Sequence, residues 1–338
     1  MSGLDGRDAV SEFLTRAAKW HRLLILMTVF MAVMAVVTLS LIFLDHRMLY
    51  GERVWQKPFN FAMSIGMFTL TWAWMLSLLP RGRRFAGWVG TLLVLLLSIE
   101  WIGLVVQAAR GVRSHFNKAT PFDTTLGSIM GLSAALILLS TLTLAIVFFA
   151  VRIADRAGAW AIRLGAVLSV AGMAFGPMMG AETKAQEAAQ LAGTSDGIIG
   201  GHSVGVADGG PGMPITGWST VGGDLRVPHL VGIHALQILP VLAIVLSLLA
   251  GRYARLRRNE VRTRLIWVAA IGYAGLLVTV AWQAFRAQPL IHPDGATWLA
   301  FGAIALFVIA GFGMVVGFAR PVLSEKREAP MMENIEMS

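Results

Sequence analysis

Long apolar runs separated by short polar stretches dominate the hydropathy pattern of this chain. Each run has about 20 residues with almost no charge, the length an α-helix needs to cross the roughly 30 Å hydrocarbon core of a bilayer. Strands of a membrane barrel alternate apolar and polar residues instead, so solid runs favour helices. The pattern predicts eight transmembrane helices, at residues 22–44, 59–80, 86–109, 125–151, 159–180, 229–250, 265–287 and 296–319.

The amino-acid composition agrees with a membrane protein. Of the 338 residues, 56% are hydrophobic and 14% are charged, whereas soluble domains carry about 25% charged residues. The first run lacks a small-residue cleavage site, so we expect it to remain as a span rather than act as a signal peptide. The chain has no cysteine, which excludes disulfides, thiolate ligands and thiol nucleophiles. The sequence therefore predicts an all-α integral membrane protein in a lipid bilayer.

The lysines and arginines predict the orientation of the chain. Eight spans put both termini on one side, and 19 of the 28 lysines and arginines fall on that side. Positively charged loops stay in the cytoplasm, so the segments 1–21 and 321–338 are predicted to be cytoplasmic, with the protein in a bacterial inner membrane. The net charge of +9 then acts as an insertion signal, and we expect no nucleic-acid partner.

Histidines gather on the opposite, predicted extracytoplasmic side, which holds six of the seven. Histidine titrates near neutral pH and is the commonest metal ligand, so this asymmetry predicts an extracytoplasmic site with a metal ion or haem as its possible cofactor. The predicted metal ligands are His202, Asp208, Asp224, His229 and His234. His229 and His234 are five residues apart, so they do not form the i, i+4 pair that binds zinc from one helix face.

Glu100 is the one carboxylate inside a predicted apolar run. An ionised acid at that depth is costly unless it is paired or hydrated, and such residues are functional by default. Gly103 and Gln107 follow on the same helical face, so all three are expected to face the bundle interior. We predict a catalytic set of Glu100, His234 and Gln107, with Glu100 as proton donor or acceptor. A protonated Glu100 that only bonds a neighbouring helix is the structural alternative.

Two spans end in similar sequences, QAARGVRSH from residue 107 and QAFRAQPLIH from residue 283. In each, Gln-Ala-x-Arg is followed by a histidine and then by a proline, an aspartate and a threonine. The match predicts an internal duplication into two parallel four-helix halves, 22–157 and 158–320, related by an axis along the membrane normal. Arginines at both ends could clamp an anionic substrate. The predicted substrate-binding residues at the outer mouth are Lys57, Asn60, Arg110, His115, Asn117, Trp218, Gln283, Arg286 and His292.

The loop at 181–228 is the one long connection. Its first part, AETKAQEAAQLAG, predicts a short helix that ends near Gly193. The second part, 200–224, has nine glycines and two prolines in 25 residues, which predicts neither helix nor strand. Long ordered loops are typically binding loops or lids, and we interpret this one as a lid, with a flexible solvent loop as the alternative. No GxxxxGK[ST] motif occurs, so a nucleotide site is not expected.

Eight spans in two four-helix halves, with a site towards the outer face, make a layout that is similar in outline to the haem A synthases. That resemblance implies haem ligands on histidines within several spans. Here only His234 lies clearly inside a predicted span, so bis-histidine ligation in each half is not expected.

Three functions remain open from the sequence. The first is a membrane-embedded metal-, haem- or proton-dependent enzyme or redox protein, which the histidine asymmetry favours. The second is a proton-coupled transporter that uses Glu100. The third is a sensor, assembly factor or complex subunit with a membrane-protein partner, for which the amphipathic segment 10–20 could lie on the inner membrane surface.

Overall fold

A computed structural model describes residues 20–319 of the chain, so most of the segment 10–20 and the two terminal tails lie outside the described residues. Within that range, eight helices are long and apolar enough to cross a membrane, and the chain is accordingly a multi-pass membrane protein. The helices are α1 (Arg22–Leu44), α2 (Gln56–Ser77), α3 (Arg83–Arg110), α4 (Pro121–Ala150), α5 (Arg156–Met173), α6 (Phe175–Met179), α7 (Lys184–Leu191), α8 (Arg226–Leu249), α9 (Asn259–Phe285) and α10 (Gly295–Gly317).

The predicted spans are confirmed in position, while several helices begin a few residues earlier. Polar caps account for the earlier starts of α4 and α5, because a cap extends a helix beyond its apolar residues. The side chain of Asp155 accepts from the Gly158 N–H at the start of α5, and Thr120 caps α4 just before Pro121. The predicted span 159–180 is divided at residue 174 into α5 and α6. Pro177 has no N–H to continue the helical ladder there.

The helices fall into two groups with the same order of neighbours. In the first group α1 packs on α2 and α3, α2 packs on α3, and α3 packs on α4. In the second group α5 likewise packs on α8 and α9, α8 packs on α9, and α9 packs on α10. Contacts between α4 and α5 and between α2 and α8 join the groups. A core cluster that includes Trp72, Phe148 and Leu236 lies where they meet.

The crossing of α5 with α8 depends on glycine. A Cβ atom added to Gly172 would lie 2.5 Å from the Cα of Gly232, and one added to Gly165 would lie 2.8 Å from the carbonyl oxygen of Ala235. Small residues let two membrane helices approach this closely. The same crossing places His229, whose Nδ1 lies 2.9 Å from the carbonyl oxygen of Gly172.

The loops 45–55, 111–120, 174–225 and 286–294 lie together at one end of the bundle, which we call the long-loop end. Two small antiparallel sheets form there: β1 (Met48–Leu49) pairs with β2 (Glu52–Arg53) as a hairpin, and β3 (Ser203–Val204) pairs with the distant β4 (Gly223–Asp224). The prediction that 200–224 has no strand is therefore wrong at β3 and β4. Strands of two residues are too short to give an alternating pattern.

Candidate functional site

A cavity of about 160 Å³ lies at the long-loop end, between the β1–β2 hairpin, the ends of α2, α3 and α8, and the long loop that joins α6 to α8. One part of its wall is apolar, and the other part is charged. The apolar part includes Phe61, Leu104, Ala108 and Leu230. The charged part consists of Glu52, Arg53, Lys57, Arg113, Asp208 and Arg226, with His202 beside them.

The long loop is attached to the bundle through its main chain. The Lys118 N–H donates to the carbonyl oxygen of Gly197 at 2.7 Å, and the Ile199 N–H donates to that of Phe116 at 2.8 Å. The N–H of Gly201 donates to the carbonyl oxygen at the end of α6, also at 2.8 Å. These bonds hold the loop beside the segment that follows α3, over the cavity.

Arg226 joins three parts of the cavity wall. Its guanidinium donates to Asp224 at 2.8 Å, to Glu52 of the hairpin at 3.3 Å, and to the carbonyl oxygen of Gly217 at 2.6 Å. Charge-assisted bonds of this kind are stronger than neutral ones. The first residue of α8 therefore fixes both the hairpin and the long loop.

His202 lies between two carboxylates that are already paired with arginine. Its Nδ1 lies 3.2 Å from Asp208 and 3.9 Å from Asp224, while Arg113 binds Asp208 and Arg226 binds Asp224. Burial, followed by the charge of Arg226, lowers the pKa of His202 to about 4. The imidazole is therefore neutral at physiological pH.

A second cluster leads from the cavity wall into the bundle. The Lys57 ammonium donates to Nδ1 of His115 at 3.2 Å, and the Ser114 hydroxyl lies 3.1 Å from the same nitrogen. Since Nδ1 is an acceptor, we assign the ring hydrogen to Nε2. That nitrogen lies 3.6 Å from Oε2 of Glu100. The other oxygen of this acid is buried and has no hydrogen-bond partner among residues 20–319. Burial, and then the charge of Lys57, lowers the pKa of His115.

Five of the predicted site residues line the cavity: Lys57, Asn60, His202, Asp208 and Trp218. Glu100 and His115 contact one another directly behind Lys57. Asn117 is buried, and its side chain accepts from a backbone N–H of its own loop. The cavity lining does not include Gln107, Arg110, Gln283, Arg286 or His292.

The Gln-Ala-x-Arg residues have internal partners in both copies. Arg110 pairs with Asp123 in the first turn of α4, and Arg286 pairs with Asp294, the residue that caps α10. The glutamines are buried; Gln107 donates to Asp123 at 2.8 Å. Each motif thus ties the end of one span to the start of the next. A role of the two arginines in substrate binding stays an untested prediction.

The five predicted metal ligands do not converge as one set: His202 lies beside Asp208 and Asp224, but His229 and His234 have other partners. His229 bonds a backbone carbonyl, as described above, and His234 lies 3.3 Å from Gln237 on its own helix, whereas the acid Glu100 contacts His115 instead. Between residues 20 and 319 no group of three or more histidines and acids is placed to hold a metal ion. Metal or haem binding stays an untested prediction.

Four charged residues of the cavity wall were not predicted from the sequence: Glu52, Arg53, Arg113 and Arg226. The arginine distribution contained a usable signal. Only nine lysines and arginines fall on the arginine-poor side, and four of those nine line the cavity. Cations at the arginine-poor end of the bundle therefore point to the cavity.

No protein-family model matches this chain, and no curated protein or solved structure gives a significant match. The likeness to haem A synthases stays a likeness of layout. Function therefore has to be argued from the cavity and from the groups behind it.

Proposed function

We propose that this chain is a membrane enzyme with an extracytoplasmic site, which transfers protons to or from a substrate in the cavity by acid–base catalysis. The observation that carries this proposal is the series of contacts from Lys57 through His115 to Glu100. General acid–base catalysis needs titratable groups within hydrogen-bond reach of one another and of the substrate. Contacts that are longer without substrate, such as the 3.6 Å contact between His115 and Glu100, commonly shorten when the substrate binds. Lys57 supplies the contact with the cavity, and Glu100 supplies a buried acceptor behind it.

The proton transfer in this proposal is balanced at every atom. Lys57 gives a proton to Nδ1 of His115 while Nε2 of the same ring gives its proton to Oε2 of Glu100. Lys57 becomes a neutral amine, Glu100 becomes a neutral acid, and the imidazole stays neutral but changes tautomer. The amine can then take a proton from the substrate, and the reverse sequence delivers one. Neutral products at each end limit the cost of charge inside the membrane.

The extracytoplasmic placement and the two-half architecture are parts of the same proposal. The excess of arginine and lysine on the side of the termini supports cytoplasmic termini, which puts the long-loop end outside the cell. The repeated order of helix neighbours supports a duplication of four helices. So do the two matching Arg–Asp ties, Arg110–Asp123 and Arg286–Asp294. In this arrangement only the first half carries the buried acid, since Leu276 stands at the matching position.

Infrared difference spectroscopy tests the series of contacts without a known substrate. The protonated carboxyl band lost in Glu100→Gln identifies Glu100, and its titration midpoint is then followed in Lys57→Met and His115→Asn. We expect both substitutions to move the midpoint, because both remove a partner of the acid. Lys118→Met, which changes an exposed lysine in the loop that carries His115, should leave the midpoint unchanged. A titration midpoint that is the same in Lys57→Met and His115→Asn as in the natural sequence contradicts the proposal.

A chemical screen tests the catalytic step. Purified protein is incubated with small organic acids and phosphate monoesters, and consumption is followed by mass spectrometry. We expect conversion by the natural sequence and by Glu187→Gln, which alters an exposed acid of α7, and loss of conversion in Glu100→Gln. Conversion that survives Glu100→Gln unchanged would remove the catalytic role of that acid.

Proton-coupled transport is the second candidate, and one observation favours it. Within the described part of the chain, Trp72 Nε1 and Thr141 Oγ1 are buried without a hydrogen-bond partner. Both residues lie in the half of the bundle away from the cavity. Transport needs polar groups that carry a proton from Glu100 towards the opposite face of the membrane, and these two atoms are such groups. Proteoliposomes that carry a trapped pH dye separate the two functions. Proton movement driven by a substrate gradient supports transport, and conversion without proton movement supports the enzyme.

A further inference from the structure

Two cations of the cavity wall have no carboxylate partner. Arg113 and Arg226 are both paired with acids, as described above, but Lys57 contacts the neutral imidazole of His115. Arg53 contacts Nδ1 of His46 at 2.7 Å. Within residues 20–319, neither Lys57 nor Arg53 makes an ion pair with an acid. In the part of the chain that the structure describes, the charged wall therefore holds two cations whose donors no carboxylate accepts directly.

Lys57 is the deeper of these two cations and is the better anchor for a ligand. It is partly withdrawn from solvent, and a cation withdrawn from water is stabilised only by a counter-charge or by hydrogen bonds. An ammonium has three donors, of which His115 takes one. The Phe61 ring, 6.0 Å away, is at the limit of a cation–π contact and adds little. An anion in the cavity would accept from the remaining donors.

The wall beside Lys57 is apolar. Phe61 lies one turn along α2, while Leu104 and Ala108 lie one turn apart on α3, with Leu230 of α8 completing this surface. A ligand that fills the cavity therefore meets a cation at one end and hydrocarbon along its body. Binding sites commonly combine an apolar lining with a few polar groups that orient the ligand.

We propose that the cavity binds a small monocarboxylate with an apolar body, its carboxylate on Lys57 and Arg53 and its hydrocarbon part against Phe61 and Leu104. One negative charge suits this wall better than two, because Glu52 and Asp208 line the same cavity and repel additional negative charge. The volume of about 160 Å³ limits the body to a short chain or a single ring. This inference rests on the proposed function only in taking the cavity as the substrate site.

Isothermal titration of the detergent-solubilised full chain with hexanoate tests this assignment. We expect saturable binding that Lys57→Met weakens by about tenfold or more, the size expected for loss of one partly buried ion pair. Arg53→Gln, a change on the β1–β2 hairpin outside the helices, should weaken binding in the same direction. Lys118→Met should bind as the natural sequence does. Glu187→Gln, which changes an exposed acid outside the cavity lining, should also keep its affinity. Hexanoate binding that depends on Lys57, without any conversion that depends on Glu100, would overturn the proposed proton transfer alone, so that its failure and the failure of ligand binding are separate results.

Three outcomes would overturn the assignment. The first is the absence of saturable binding, and the second is affinity that is indifferent to both Lys57→Met and Arg53→Gln. The third is inorganic phosphate binding more tightly than hexanoate with the same dependence on Lys57, which would make the ligand a phosphate. Titration with dodecanoate in lipid nanodiscs distinguishes the source of the carboxylate. If the natural ligand is a fatty acid from the bilayer, dodecanoate should bind more tightly than hexanoate. The small cavity predicts the opposite order.

Discussion

Nε2 of His115 lies 3.6 Å from Oε2 of Glu100. Glu100 lies on α3, and His115 lies in the loop that directly follows α3. Helix α3 ends at Arg110, and Gly111 adopts a positive φ of 71°, which ends the helix and redirects the chain. The loop then places His115 beside the acid. This pair is built within one local segment, and the second four-helix group contributes neither of its members.

The stability of the protein should fall in acid through His202. Its pKa is about 4 in the folded protein, against about 6.5 in an unfolded chain. Between these values the unfolded state binds more protons, so the free energy of unfolding decreases as the pH falls from 6.5 towards 4 and is unaffected by this group above that window. Thermal unfolding across this range should show a steeper fall for the natural sequence than for His202→Gln. Equal slopes would show that His202 is not buried in its neutral form.

Arg226→Met should release the long loop without unfolding the bundle, because this guanidinium bonds Asp224, Glu52 and Gly217. Hydrogen exchange measured by mass spectrometry should rise about tenfold for the amides of 200–224, which corresponds to roughly 1.4 kcal/mol of local opening. Arg47→Met, which removes an exposed pair with Asp45, is the matched control and should leave this exchange unchanged. Faster exchange throughout the helices would instead indicate general destabilisation.

Gly172→Val should lower the melting temperature in detergent, because a Cβ at this position meets the backbone of Gly232. Overpacking of this kind costs about 1–3 kcal/mol. Gly313→Val is the control, since nothing lies within 4 Å of a Cβ there. Similar melting temperatures for the two variants would contradict the close crossing of α5 with α8.

The two Gln-Ala-x-Arg motifs should differ in their importance for stability. Arg110→Met leaves the carboxylate of Asp123, which is only 2% exposed, without its cation, and should cost about 2 kcal/mol. Arg286→Met breaks an ion pair whose side chains are 37% and 38% exposed, so its effect should be within experimental error. Chemical denaturation of both variants measures the difference. An equal loss of unfolding free energy in the two variants would show that solvent exposure does not weaken the Arg286–Asp294 pair.

Hydropathy alone was enough to predict the eight spans and the burial of Glu100 and Gln107, since both follow from helical periodicity and the cost of polar groups in lipid. The cavity was only partly predictable. Lys57 and His115 were candidates from their position near the outer face, but their contact depends on how a loop turns back over α3. Arg113 and Asp208 are 95 residues apart, and nothing in either local sequence indicates that they meet. Pairing between loops is decided by tertiary packing, which periodicity does not report.

Main-chain attachment of the long loop has a consequence for natural variation. The backbone N–H groups of Lys118, Ile199 and Gly201 donate the connecting hydrogen bonds. Replacement of the Lys118 or Ile199 side chain therefore leaves the hydrogen bond of that residue intact. Proline at residue 199 is different, as it removes the donor itself. Homologues can therefore differ at these two side chains and keep the path of the loop, provided that the Arg113–Asp208 and Arg226–Asp224 pairs are retained.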